Sequence, residues 1–168
     1  GSEMCIRDSY TKELVNGKAF IGINLNPGNY TITTFYHYTD GLATKTNNIE
    51  VLSTIQANDV VKFFRNGTQY CAKFLDGCGS PLVNASVIFN INGVFYKKQT
   101  DDNGMAKLNI NLRPGVYILT AINSVTGESK GFNITVKSLI ESNDLTKYYR
   151  NDSNFEVKIC LLYTSPSP

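Results

Sequence analysis

Through the middle of the chain apolar and polar residues alternate in short runs broken by turn residues. This is the period-two pattern of half-buried strands, and no stretch repeats its apolar positions at helical spacing. Strands are predicted over 60–64, 69–75, 85–90, 94–100, 106–112, 117–122 and 131–137. In the second, Tyr70, Ala72 and Phe74 share one face; Val87 and Phe89, then Leu108, Ile110 and Leu112, then Tyr117 and Leu119, then Phe132, Ile134 and Val136 supply the other inward faces. Asn92-Gly93 and Asn103-Gly104 read as tight hairpin turns that need positive φ, and Pro114-Gly115, like Pro27-Gly28, fits a type II turn. The fold class that follows is all-β, a seven-stranded antiparallel β-sandwich.

The pattern also recurs. Residues 16–30 (NGKAFIGINLNPGNY) align with 103–117 (NGMAKLNINLRPGVY) at an offset of 87. Ile49 and Val51 align with Ile134 and Val136, and 58–66 (NDVVKFFRN) with 143–151 (NDLTKYYRN), both at 85. A tandem repeat of 85 residues is therefore expected, with two extra residues in one loop. That period is too long for a solenoid unit and suits a small all-β domain strung in series. The expected organisation is the C-terminal part of one repeat over 10–56, a complete sandwich over 57–142 and the start of a third over 143–159, with 55–58 and 140–143 as short links.

The two ends stand apart. Residues 3–9 (EMCIRDS) and 160–165 (CLLYTS) can be encoded by the two complementary strands of one DNA element, which resembles the transposon mosaic end used in sequencing libraries. Residues 1–9 and 160–168 are accordingly expected to be translated adapter flanking a metagenomic fragment, and are set aside from the fold. Of four cysteines this leaves Cys71 and Cys78.

Composition narrows the function class. With 168 residues, Lys+Arg 16 against Asp+Glu 14 and a formal net charge of +2, the chain lacks the concentrated basic surface of a nucleic-acid binder. No apolar run approaches the ~18 residues of a membrane helix. Asn is conspicuous at 19 residues, and with Thr, Tyr, Val and Ile it favours strands and polar turns.

Three segments carry a resemblance: 76–93 (DGCGSPLVNASVIFNING), 100–104 (TDDNG) and 108–117 (LNINLRPGVY). Together they resemble the immunoglobulin-like repeats of adhesin-like surface proteins of methanogenic archaea, which are related to bacterial Ig-like and carboxypeptidase-regulatory-like domains. The resemblance spans essentially all of 10–159. It implies an immunoglobulin-like antiparallel β-sandwich, an extracellular, cell-surface array without catalysis of its own, and neighbouring repeats as the nearest partners. Tyr30 and Tyr117, two residues past each Pro-Gly, fit either the tyrosine corner of such folds or an ordinary half-buried strand tyrosine. The chain departs from the pattern at Cys71 and Cys78, since Glu156 aligns with Cys71 one repeat on.

Candidate chemistry is sparse. His37 has no acid or nucleophile near it in sequence, and a general base needs an orienting partner. Asp101-Asp102-Asn103-Gly104 looks like half a calcium loop, but a hard cation takes six or more oxygens and a plain hairpin turn explains it better. Lys62 (aligned with Lys147) and Asn133 (aligned with Asn48) are the residue types of intramolecular isopeptide bonds. No Asp or Glu holds an inward strand position to promote that bond, so a solvated Lys and a turn Asn are expected instead. Cys71 and Cys78 are candidates for a local disulfide if the turn between them folds back. Of five Asn-x-Ser/Thr triplets, Asn66, Asn151 and Asn84 are turn-located candidates for N-glycosylation, with Asn29 and Asn133 weaker because they lie in or near strands. Phe35, Tyr36 and Tyr38, with Phe95 and Tyr96, form a candidate aromatic platform for sugar stacking, against which core and cross-strand packing competes.

The sequence thus points to a non-catalytic stalk or spacer of an adhesin-like glycoprotein that presents a distal domain for cell adhesion. Its expected partners are cell-wall or host-surface polysaccharide or protein, with no cofactor, no metal, no nucleic acid and no membrane span in this fragment. The alternatives are a carbohydrate- or wall-binding module and an accessory domain of a secreted hydrolase.

Overall fold

A computed structural model describes residues 10–160, so the adapter reading of 1–9 and 161–168 lies outside the described residues. Every regular element within them is a strand. The chain divides between Ser53 and Thr54 into two compact units.

The first unit is built on one long hairpin, β1 (Gly28–Tyr38) and β2 (Gly41–Val51). The strands pair antiparallel without a break from Gly28↔Val51 to Tyr38↔Gly41. Ahead of it, Asn16 and Gly17 take positive φ in a tight turn bridged by Val15 and Lys18.

The second unit holds the core. Its strands are β3 (Ile55–Ala57), β4 (Val60–Phe63), β5 (Gln69–Phe74), β6 (Ser86–Ile91), β7 (Val94–Gln99), β8 (Met105–Asn109), β9 (Gly115–Asn123), β10 (Ser129–Lys137), β11 (Ile140–Ser142) and β12 (Val157–Ile159). A five-stranded sheet runs β4-β10-β9-β6-β7 and a three-stranded sheet β3-β5-β8. All pairings are antiparallel except β4 with β10, which are parallel from Val60↔Ile134 to Phe63↔Lys137. The two sheets pack as a sandwich. The Tyr70 ring of β5 meets Phe89 of β6 edge-on at 5.6 Å and Phe132 of β10 at 5.9 Å, and Phe74 meets Phe89 at 5.9 Å. The alternation read from the sequence is the alternation of burial: Tyr70, Ala72, Phe74, Val87, Phe89, Leu108, Ile110, Leu119, Phe132, Ile134 and Val136 are all buried, with Tyr117 and Leu112 packed at the margin.

The expected links are strands. Ile55–Ala57 pairs with β5 through Ile55↔Phe74, and Ile55 is 1% exposed, so these residues belong to the three-stranded sheet. A strand of three residues is too short to show a period, which is why it reads as a connector. Likewise β11, placed at the second expected link, pairs with β12 through Ile140↔Ile159.

Three turns also differ. Asn92-Gly93 closes the β6–β7 hairpin with φ of 53° and 77°, as expected, but Asn103-Gly104 joins β7 of one sheet to β8 of the other and closes no hairpin. Gly28 and Gly115 have φ of 156°, far from the ~80° that a type II turn requires. Each opens its strand directly. A Cβ on Gly115 would lie 3.4 Å from the Tyr117 hydroxyl, because that ring folds back over the glycine.

Candidate functional site

Strand alternation splits the aromatic platform. Tyr36 and Tyr38 share one face of β1, their rings 6.2 Å apart and tilted by 30°, while Phe35 and His37 take the opposite face. All three aromatic residues are exposed. On the edge strand β7 the same rule separates Phe95, 65% exposed, from Tyr96, which lines an open cavity of about 200 Å³ with Lys98, Leu108, Ile110 and Asn111. Within each unit, alternation turns neighbouring aromatic side chains to opposite faces of their strand.

The cysteines are not joined. Cys71, at mid-strand opposite Lys107, and Cys78 are both free and exposed. Cys78 sits in a turn whose shape is set by Asp76, whose Oδ1 accepts the N–H of Cys78 at 2.8 Å and of Ser80 at 2.9 Å. The turn returns the chain onto Phe74, whose carbonyl accepts the Leu82 N–H at 2.9 Å.

Asp101 forms the same kind of turn, accepting the N–H groups of Asn103 at 2.8 Å and Met105 at 3.0 Å. Those two bonds hold its carboxyl below the usual range. Its oxygen is occupied by backbone donors, and among the described residues no group of three or more His, Cys, Asp or Glu is placed to hold a metal ion.

Lys62 overturns the expectation of a solvated side chain. It is 4% exposed, and its Nζ donates to the carbonyls of Ile110 at 2.7 Å, Asn66 at 2.7 Å and Thr68 at 3.3 Å. Burial lowers its pKa. The signal was present in the pattern, since alternation from Val60 puts Lys62 and Phe64 on the inward face. Asn133 is exposed on β10, its N–H donating to Asp59 Oδ1 at 2.8 Å, and Lys62's three contacts are carbonyls, so the two make no isopeptide pair.

Five sequons fall into different surroundings. Asn66 Oδ1 accepts both the N–H, at 2.6 Å, and the hydroxyl of Thr68, and Asn151 Oδ1 does the same from the N–H, at 2.7 Å, and hydroxyl of Ser153. Both follow an arginine at positive φ, Arg65 at 61° and Arg150 at 62°. Asn84 is exposed at φ 53°, while Asn29 and Asn133 lie within β1 and β10.

One polar group went unread in the sequence. Asn123 is fully buried, donating to Thr54 Oγ1 at 3.0 Å and the Leu75 carbonyl at 2.8 Å and accepting from Val125 and Thr126. Glu128 Oε1 completes the cluster by accepting the Thr54 N–H at 2.6 Å and hydroxyl at 2.7 Å. These bonds pin the start of the sandwich to the β9–β10 loop. Alternation through Tyr117 and Leu119 carries the inward face on to Asn123, one residue past the expected strand end at 122. No protein-family model matches this chain, and no curated protein matches it either.

Proposed function

We propose that the chain is a run of tandem immunoglobulin-like β-sandwich repeats from an extracellular, adhesin-like surface protein, acting as a non-catalytic spacer. The observation that carries the reading is the recurrence of register. The β3–β5 pairs Ile55↔Phe74, Gln56↔Lys73 and Ala57↔Ala72 recur 85 residues on as Ile140↔Ile159, Glu141↔Lys158 and Ser142↔Val157. The β1–β2 pairs Gly28↔Val51 and Tyr30↔Ile49 recur as Gly115↔Val136 and Tyr117↔Ile134. Tyr30 and Tyr117 each donate to the carbonyl four residues upstream, Asn26 at 2.7 Å and Arg113 at 2.9 Å, which favours the tyrosine-corner reading.

Sequencing the native locus outward from Tyr10 and Ile159 tests the reading. The 85-residue period is expected to continue to a secretion signal and a wall or membrane anchor. A catalytic domain within one period would refute the spacer role and make this an accessory module. The exposed Tyr36–Tyr38 pair favours a second reading, a carbohydrate- or wall-binding module, which predicts saturable polysaccharide binding lost in Tyr36→Ala.

A further inference from the structure

We propose that Asn66 and Asn151 are acceptors for an N-linked glycan, and that the other three sequons of the chain are passed over in the folded protein. The inference rests on the surface-protein reading only for meeting the transferase in the cell; the chemistry of the site is independent of it.

A transferase must reach two groups at once, the Asn carboxamide and the hydroxyl two residues on. At Asn66 and Asn151 the fold already presents both together, since the carboxamide oxygen receives the N–H and the hydroxyl of residue +2, and Nδ2 is left without a protein partner. The turn is anchored from within. Lys62 Nζ holds the carbonyls of Asn66 and Thr68, Lys147 Nζ holds that of Ser153 at 3.1 Å, and the Asn66 and Asn151 N–H groups close back onto Phe63 at 3.1 Å and Tyr148 at 3.0 Å. Every residue of both triplets is exposed. The acceptor is therefore offered without breaking a ladder.

The remaining triplets fail one condition each. Asn133 is locked in β10, paired with Ile118 and bonded to Asp59, so its backbone enters an active site only by unfolding the sheet. Asn29 lies in β1 opposite Glu50, and its Thr31 hydroxyl turns to Asn48 Oδ1 at 3.5 Å. Asn84 is exposed, but its carboxamide does not receive the Ser86 hydroxyl, and Ser86 already lies in β6, paired with Gln99.

In the transfer, the bond between the sugar C1 and the phosphate oxygen of a lipid-linked oligosaccharide breaks, and a C1–Nδ2 bond forms. The phosphate leaves with the electron pair, and Nδ2 yields one proton to a base of the transferase. Nothing is oxidised or reduced.

The test uses the folded full chain, a defined polyprenyl-phosphate-linked oligosaccharide and an oligosaccharyltransferase chosen because it modifies synthetic peptides spanning 64–70 and 131–137. Site occupancy is read over time by glycopeptide mass spectrometry. Initial rates at Asn66 and Asn151 are expected to exceed those at Asn133, Asn29 and Asn84 by at least about tenfold, because Asn133 and Asn29 need local opening first and the Asn84 triplet must draw Ser86 out of β6. Denaturing the chain should erase that preference, and Asn66→Gln and Asn151→Gln should each remove one glycan. Equal rates at Asn66 and Asn133 in the folded chain, or modification of the denatured chain alone, would overturn the proposal. A transfer result as expected beside a locus without a secretion signal would sink the surface-protein reading and leave the acceptor geometry standing.

Discussion

Replacing Lys62 by Met removes three hydrogen bonds while keeping an unbranched side chain of similar length, so the packing of the stem is conserved. Nζ is the partner of one fully buried carbonyl, Ile110, and of two in a turn whose residues are exposed, Asn66 and Thr68. The turn carbonyls regain water. The Ile110 carbonyl does not, and an unsatisfied buried acceptor costs about 1–3 kcal/mol, to which the lost charge-assisted bonds add and from which the relieved desolvation of the ammonium subtracts. Lys62→Met should therefore destabilise the second unit by about 2–3 kcal/mol. The lowered pKa of Lys62 does not contradict this. It compares an ammonium with an amine, both of which donate to carbonyls, whereas Met donates to none. Urea unfolding followed by tyrosine fluorescence measures the loss. Lys147→Met is the internal control, since that side chain is exposed and makes one bond of 3.1 Å, and it should cost under about 0.5 kcal/mol. A Lys62→Met protein as stable as its parent, or more so, would mean that burial of the charge outweighs capture of the carbonyls, and the argument would fail.

Four further outcomes are expected. Tyr70 has a fully buried hydroxyl with no hydrogen-bond partner in the protein, and the residue aligned with it 85 positions on is Phe155; Tyr70→Phe should be neutral or stabilising by up to about 1 kcal/mol, and a loss beyond that in urea melts would reveal a partner for the hydroxyl. Gly104 has φ 77° and a Cβ there would meet the Phe74 carbonyl at 2.7 Å, so Gly104→Ala should cost about 2–4 kcal/mol by thermal unfolding, and a value below 1 kcal/mol would refute the close approach. Asp101 is held below its usual pKa of 3.8 by two backbone N–H bonds, so its contribution to stability is complete above that value and is lost as pH falls through the lower folded value; Asp101→Asn should flatten the acid limb of a stability–pH profile by lowering the neutral plateau, with the least effect at the acid end. Ile55→Ala should cost about 2–5 kcal/mol and Ile140→Ala almost nothing, because the first is buried and the second exposed, and equal effects would remove the distinction.

Most of the sandwich was legible because its strands are long enough to show a period. The seven expected strands all appear, with ends shifted by at most three residues, and Tyr70, Phe74, Phe89, Leu119 and Ile134 sit where alternation put them. What escaped lacks local expression. Ile55–Ala57 has three residues and one apolar anchor, so its membership of the three-stranded sheet is decided by pairing with β5, which no window around it contains. Alternation carries the inward face on to Asn123, but its partners Thr54 and Leu75 lie 69 and 48 residues away in sequence. The Asn66 turn was legible as a sequon and as a turn. Its internal bond to Thr68 depends on positive φ at Arg65, which an arginine does not advertise.

Matching register does not bring matching burial along this chain. Ile55 and Phe74 are buried and paired, while their counterparts Ile140 and Ile159, in the same register, are 54% and 38% exposed. The difference lies in what covers them. On β5, Phe74 packs against Phe89 of β6, and Tyr70 against Phe89 and Phe132 of β10, whereas the chain between Ser142 and Val157 contributes no strand that plays this part for β11–β12. A two-stranded pair is marginal by itself in water, and an apolar face left open invites pairing with another chain. On the repeat reading, those missing strands lie beyond Ile159, and adding them should bury Ile140 and Ile159 as fully as Ile55 and Phe74. Amide exchange at Ile140 and Ile159 measures this: protection should rise from that of a frayed pair to that of the β3–β5 core when the native continuation is restored. Unchanged exchange in the lengthened chain would mean that shared register is not shared fold, and the spacer reading would lose the observation on which it stands.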